Sequence, residues 1–246
     1  MGDPIALATG STEPLTFMPR SKRYTELKKL IDPKKVYSPA EAIELAKKTS
    51  TTKFDSAIEV HIRLGIDVKK SDQQLRATIV LPHNMGKSKR VAAFVPADKE
   101  KDAKDAGAEI VGADDLINEI AKTGKIDFDV AVATPDMMPK LAKVAKILGP
   151  KGIMPNPKTE TVGTNVKKMV EELKRGKVTL KNDSTGNLHQ AVGKVSGDSK
   201  ALLENLEMIL ATVKKNKPAS AKGMYLRNVV LTTTMGPGIK LDTSAI

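Results

Sequence analysis

Cysteine and tryptophan are both missing from the 246 residues, and aromatic residues make up only 3% of them. Without cysteine there is no disulfide, no thiolate nucleophile and no cysteine-held metal, and the composition suits a reducing cytoplasm. With so few aromatic rings the chain has no platform for stacking a run of single-stranded bases. No apolar run approaches the roughly 20 residues that cross a bilayer. Residues 1–20, MGDPIALATGSTEPLTFMPR, start acidic, hold one short apolar patch, do not follow a signal-peptide pattern, and read as a flexible tail. The opening Met-Gly carries little weight as an acylation signal, because Ala6 stands where that pattern wants Ser or Thr.

Positive charge is what the chain has in excess: 41 Lys+Arg against 29 Asp+Glu, a formal net charge of +12. That balance favours a polyanionic partner through release of its counterions, with nucleic acid ahead of an anionic membrane. At ~100–200 residues per domain the length predicts two domains.

Ser38, Pro39 and Glu41 in SPAEAIELAKK combine an N-cap, a first-turn proline and a capping-box glutamate, so a helix starts there. In FDSAIEVHIRLGI, Ile58, Val60, Ile62 and Leu64 alternate with Ala57, Glu59, His61 and Arg63, the period of a half-buried strand. From about Leu75 short apolar runs alternate with helical segments, which predicts a small, mainly parallel sheet covered by helices. After residue 163 the order is helix, strand, strand, helix, strand. In the second of these helices Leu202, Leu206, Ile209 and Val213 share one face. This half lacks a leading strand, and FDSAIEVHIRLGI supplies it, giving the β-α-β-β-α-β split βαβ order.

The expected architecture is therefore α/β and α+β in two domains. Residues 21–68 and 159–246 form a discontinuous, ferredoxin-like outer domain, and residues 69–158 an inserted Rossmann-like α/β domain. LGPKGIMPNPKTETVG, Leu148–Gly163, becomes the return crossing, with Gly149, Gly152 and Pro155, together with Gly65 on the outward crossing, as hinge residues. Of the basic and acidic residues, 69–158 holds 16 and 12, leaving 25 and 17 outside it, so the positive excess lies mostly in the outer domain.

TIVLPHNMGKSKR places Gly86, Lys87 and Ser88 after a strand, but a phosphate-wrapping Walker loop needs a glycine where Leu81 stands. A basic surface loop is the better reading, with a nucleotide-dependent α/β enzyme as its rival. His61, His83 and His189 are scattered without helical-spaced partners, and the paired acids Asp114–Asp115 and Glu171–Glu172 suit helix starts and solvent faces, so no catalytic or metal constellation emerges. TTTMGPG, Thr232–Gly238, sets three hydroxyls, a flexible apolar side chain and open backbone at a strand end. That chemistry suits folded RNA read by shape and 2′-hydroxyls, and it equally suits a polar strand end before a turn. The strands KVTLKND and NLHQAVGKVS have no aromatic residue, which excludes base stacking of the RRM kind.

Taken together and in order, TTKFDSAIEVHIRLGID, LPHNMGKSKRVAAF, DFDVAVATPDMM, LGPKGIMPNPKTETVG, NDSTGNLHQAVGK and LRNVVLTTTMGPG resemble the bacterial large-subunit ribosomal protein L-one family, the proteins of the mobile stalk, from about Lys22 to Lys240. The resemblance implies a non-enzymatic protein without cofactor or metal, cytoplasmic and monomeric within the large subunit. It also implies binding to large-subunit ribosomal RNA, help in releasing deacylated tRNA from the exit site, and repression of its own operon messenger RNA. The RNA contacts it implies are Lys53, Phe54 and Glu59 on the first strand, Asp183 and Thr185 in a turn, and Thr234, Met235 and Gly236. Ala57, Ser184, Asn228 and Glu160 depart from the family pattern, where Thr, Lys, Ser and Gly are usual, and PHNMGK varies PHGTGK. The first three bear on the RNA contacts and Glu160 on the hinge. A free RNA-binding regulator that never joins ribosomes is the second rival.

Overall fold

The computed structural model describes residues 21–86, 89–221 and 223–242; the N-terminal tail and Lys87–Ser88 of the GKS loop lie outside the described residues. In chain order come α1 (Lys22–Lys29), α2 (Pro39–Thr49), β1 (Ala57–Leu64), β2 (Arg76–Val80), β3 (Val91–Phe94), α3 (Glu100–Asp105), β4 (Ile110–Gly112) and α4 (Asp114–Thr123). They are followed by β5 (Val130–Ala133), the short helical turns α5 (Met138–Leu141) and α6 (Ala145–Leu148), α7 (Val166–Lys174), β6 (Lys177–Lys181), β7 (Asn187–Lys194), α8 (Ser199–Lys215), β8 (Leu226–Thr233) and β9 (Ile239–Lys240). Ser38 caps α2 as expected, its hydroxyl accepting from the Glu41 N–H at 3.4 Å. Asn165 does the same for α7 through the Lys168 N–H at 3.2 Å.

The larger sheet runs β7-β1-β8-β9, with every neighbour antiparallel. Placing β1 between β7 and β8 is the split βαβ order expected from the sequence. Alternation along β1 sends Ile58, Val60, Ile62 and Leu64 to one face, where they pack with Ala42, Ile43 and Ala46 of α2 and Leu202, Leu206, Ile209 and Val213 of α8. The smaller sheet, β4-β3-β5, is parallel and covered on both faces. Ala92 and Phe94 of β3 face Ile117 and Ile120 of α4, whereas Val91 and Ala93 face Ala103 of α3 and Val166, Val170 and Leu173 of α7. Burial on both faces explains why these strands read as continuous apolar runs.

Two elements pack across the limits 69–158 read from the sequence. Strand β2, inside that range, pairs with β6 in an antiparallel ribbon, and Ile79 joins Val178 and Leu180 in the larger core. Helix α7, outside the range, closes the smaller core, because its apolar stripe of Val166, Val170 and Leu173 meets the parallel sheet. A single bridge, Asn182 to Leu188, joins β6 to β7. Among the described residues no helix is long and apolar enough to cross a membrane.

Candidate RNA interface

Helices cover one face of the larger sheet and leave the other open. The pleat that buries Ile58, Val60 and Ile62 turns Ala57, Glu59, His61 and Arg63 outward, beside Asn187, His189 and Ala191 of β7 and Asn228, Val230 and Thr232 of β8. The expected RNA contacts distribute along this face rather than converging. Lys53, Phe54, Thr234, Met235 and Gly236 gather at the start of β1, Glu59 lies within the strand, and Asp183 and Thr185 lie past its far end. With ~3.3 Å per residue, the six steps from Ala57 to Arg63 separate the two ends by about 20 Å.

At the first end the TTTMG segment is built for display. Thr234 continues the ladder beyond β8, its N–H donating to the Ala57 carbonyl at 3.0 Å and its hydroxyl accepting from the Ala57 N–H at 3.1 Å. The Thr232 hydroxyl turns back to backbone carbonyls of the same loop, 3.2 Å from that of Thr233 and 3.3 Å from that of Gly236. Thr233 points into the core. The Thr232 and Thr234 hydroxyls are therefore engaged with backbone and that of Thr233 is buried, leaving Met235 as the loop's presented side chain, 66% exposed, while Phe54 from the neighbouring segment is 56% exposed. Met235 adopts φ +66°, a left-handed conformation that a side chain rarely takes, and Arg23 of α1 donates to its carbonyl at 3.1 Å while also donating to the Thr51 hydroxyl at 3.2 Å. Gly236 is required for a different reason: a Cβ there would meet the Thr233 hydroxyl at 2.1 Å. Arg23 was not singled out by the sequence reading; it lies 212 residues from Met235, and only the folded chain joins them.

At the other end Asp183 organises the turn before β7. One carboxylate oxygen accepts the N–H groups of Thr185 at 2.9 Å and Asn187 at 2.7 Å, and the other accepts the Thr185 hydroxyl at 2.7 Å. These bonds, the Thr185 hydroxyl foremost, hold the Asp183 carboxyl down at about 2. A depressed folded pKa contributes stability above the unfolded value that is lost as pH falls through about 2. The carboxyl carbon resonance of Asp183 is therefore expected to titrate near 2, and Thr185→Val to move that midpoint upward; a midpoint near 3.8 in the unmodified chain would show that the turn does not form.

His61 and His189 face each other across β1 and β7 with Nδ1 atoms 2.7 Å apart. Burial, then the neighbouring His189, pushes the His61 pKa down, against the pull of Glu59. The open face thus carries a hydrogen-bonded imidazole pair between Glu59 and Arg63, with basic Lys194 and Lys240 on its flanking strands. Shape, hydrogen bonding and moderate positive charge are its resources.

The expected hinge residues occupy tight positions. Gly65 follows β1 against the backbone of Met224, Gly149 ends α6, Gly152 has φ +71°, and Pro155 is buried. Gly86 of the GKS loop has φ +93° and lies under the Lys194 side chain.

Comparison with known proteins places these features in context. The sequence profile of the Ribosomal protein L1p/L10e family matches residues 46–237. The chain is 51% identical over 230 residues to the large ribosomal subunit protein uL1 of Thermosipho africanus, covering 93% of this chain and 99% of that protein. It is 50% identical over 230 residues to the large ribosomal subunit protein uL1 of Fervidobacterium nodosum, covering 93% of this chain and 98% of that protein.

Proposed function

Because the chain belongs to the ribosomal protein L1p/L10e family, we propose that it is a structural, non-enzymatic component of the large ribosomal subunit that binds ribosomal RNA through the open face of its larger sheet and the two ends of β1. The observation that carries the interface is the TTTMG loop. A methionine in a left-handed conformation, clamped by Arg23 and followed by a glycine that no larger residue could replace, is presented to solvent at the same end of β1 as the exposed Phe54. An exposed apolar pair held at that conformational cost serves recognition better than packing.

Lys53 supplies phosphate attraction at the rim, Phe54 and Met235 pack on sugar or base surface, and Glu59, Asp183, Thr185, Thr234 and Gly236 fix the shape and hydrogen bonding of the remainder. The stalk position in the subunit, contact with exit-site tRNA and its release, and repression of the operon messenger RNA through mimicry of the ribosomal site belong to the same reading. The working division is an RNA-binding body of 21–68 and 159–246 with an inserted body of 69–158, β2 and α7 being exchanged in packing across it. Gly65, Gly149, Gly152 and Pro155 act as its hinge.

The test is equilibrium binding to a folded stalk-region ribosomal RNA fragment and to a scrambled RNA of equal length across a salt series. Binding to the stalk fragment is expected to persist where the scrambled RNA has dissociated. Met235→Ala is expected to weaken the specific complex by about 1–3 kcal/mol, the scale of one recognition contact, and Lys122→Ala on α4 to leave it unchanged. Equal losses from both variants would place the interface elsewhere, and equal affinities for both RNAs would reduce the interaction to the net charge.

A further inference from the structure

The return crossing forms one wall of a cleft of about 570 Å³ through Gly149, Gly152, Thr159 and Thr161, and the β2–β6 ribbon forms the opposite wall. On the ribbon Arg76 stands directly across from Lys181, both exposed. Like charges directly opposed on paired strands repel. Among the described residues neither has a carboxylate within salt-bridge distance.

The same ribbon treats its inner lysine very differently. Lys177, only 5% exposed, is matched by two carboxylates, Glu160 at 2.6 Å and Glu172 at 2.7 Å. Glu160 reaches it from a left-handed backbone, φ +54°. Lys89, also on the lining, donates to the Lys177 carbonyl at 3.2 Å and has Asp129 nearby. The fold thus matches the buried Lys177 with two carboxylates and leaves the Arg76–Lys181 pair uncompensated at the cleft.

We propose that this cleft is a second RNA-contacting site, in which Arg76 and Lys181 grip a phosphodiester group of an RNA backbone against the return crossing, apart from the open sheet face. A guanidinium beside an ammonium matches a phosphate's oxygens, and a bound anion relieves the cross-strand repulsion. The Thr179 hydroxyl on the ribbon adds a neutral hydrogen-bond partner, while those of Thr159 and Thr161 bond to the Asn156 backbone and brace the crossing. Among the described residues the lining contains no aromatic side chain, so it reads phosphate and not base, and a mononucleotide gains nothing from its base there. The crossing is therefore a wall of an anion cleft, not a glycine cradle that wraps phosphate by itself. This inference rests on the chain being an RNA-binding protein, but not on where the first interface lies.

The experiment compares the full chain with the double variant Arg76→Ser/Lys181→Ser, using a short RNA duplex of arbitrary sequence, inorganic phosphate, and the stalk-region fragment. Removing two opposed cations should leave the unfolding midpoint unchanged or raised, which separates lost binding from lost folding. Duplex binding at low salt is expected to fall about tenfold, and the slope of log affinity against log salt to shrink by roughly 0.7–0.9, the contribution of the one phosphate contact that the pair makes. Preference for the stalk fragment over scrambled RNA should survive. An unchanged salt slope overturns the proposal. Phosphate binding lost in the variant with duplex binding intact assigns the cleft to a free anion and overturns the RNA assignment. A double variant that weakens the duplex while Met235→Ala changes nothing leaves this site standing and removes the interface proposed above.

Discussion

Gly65→Ala is expected to destabilise the protein by about 3 kcal/mol, at the upper end of the cost of forcing atoms into a packed site. At ~2–4 °C per kcal/mol for a chain of this size, thermal unfolding should shift downward by roughly 6–12 °C. A Cβ at position 65 would lie 2.1 Å from the Met224 carbonyl oxygen, and that oxygen is backbone, which has no rotamer to change. The Gly65 N–H meanwhile donates to the Tyr225 carbonyl at 2.7 Å, drawing the two segments together. The close approach follows from an irregularity in the β1–β8 ladder, where Arg63 pairs with Asn228 but Leu64 with Leu226. Were Gly65 present only for hinge freedom, alanine would restrict the unfolded chain and stabilise the protein by ~0.4–1 kcal/mol. The two accounts therefore predict opposite signs. A raised midpoint in a denaturant titration of Gly65→Ala would remove the close-approach explanation and favour the hinge alone.

The same distinction explains what could be read from the chain before folding. Periodicity is local, so β1 announced itself through Ile58, Val60, Ile62 and Leu64, and α8 through Leu202, Leu206, Ile209 and Val213. The leading strand of the split βαβ unit could even be recovered from 100 residues away, because one half of the chain had a vacancy that β1 fitted. Helix α1 escaped notice because it buries a single residue, Leu27, and an apolar stripe of one leaves no pattern. Pairing partners were less legible than elements. Nothing in KVTLKND specifies β2 over β7, and nothing in Val166, Val170 and Leu173 specifies which sheet they cover.

At the interface the sequence showed which residues have the chemistry but not their conformation. Met235 was legible as an apolar side chain in a polar loop; its left-handed backbone and its Arg23 clamp depend on contacts between the chain's two ends. The threonines were legible as hydroxyls, yet the backbone geometry directs the Thr232 and Thr234 hydroxyls to main-chain partners. Cations show the same limit: the charge of Arg76 and Lys181 is visible in the sequence, but their opposition across a ladder is not.

Asn205→Leu should cost about 3 kcal/mol even though it replaces a polar residue by an apolar one of similar size within an apolar stripe. Asn205 is 1% exposed, between Leu202 and Leu206 on the buried face of α8. Hydrophobic matching alone would predict a gain. The side chain, however, serves three backbone groups: Oδ1 accepts from the His83 N–H at 3.1 Å, and Nδ2 donates to the carbonyls of His83 at 3.2 Å and Val192 at 3.0 Å. Val192 is the extra residue of the bulge in β7, where Ala191 pairs with Glu59 and Gly193 with Ile58, so it lacks a partner of its own in the β1 register. Leucine would strand these groups, and each buried unsatisfied backbone group costs ~1–3 kcal/mol, more than the added methyl surface returns. Faster amide exchange at His83 is the distinguishing signature, since loss of generic packing would not single it out. The Asn205→Leu chain should also loosen the 82–86 loop, which carries Gly86 against Lys194 beside the open face, and with it lower the protection of neighbouring amides in β7. Stability retained to within 1 kcal/mol, with unchanged exchange at His83, would mean that water replaces the asparagine and that α8 does not hold this loop.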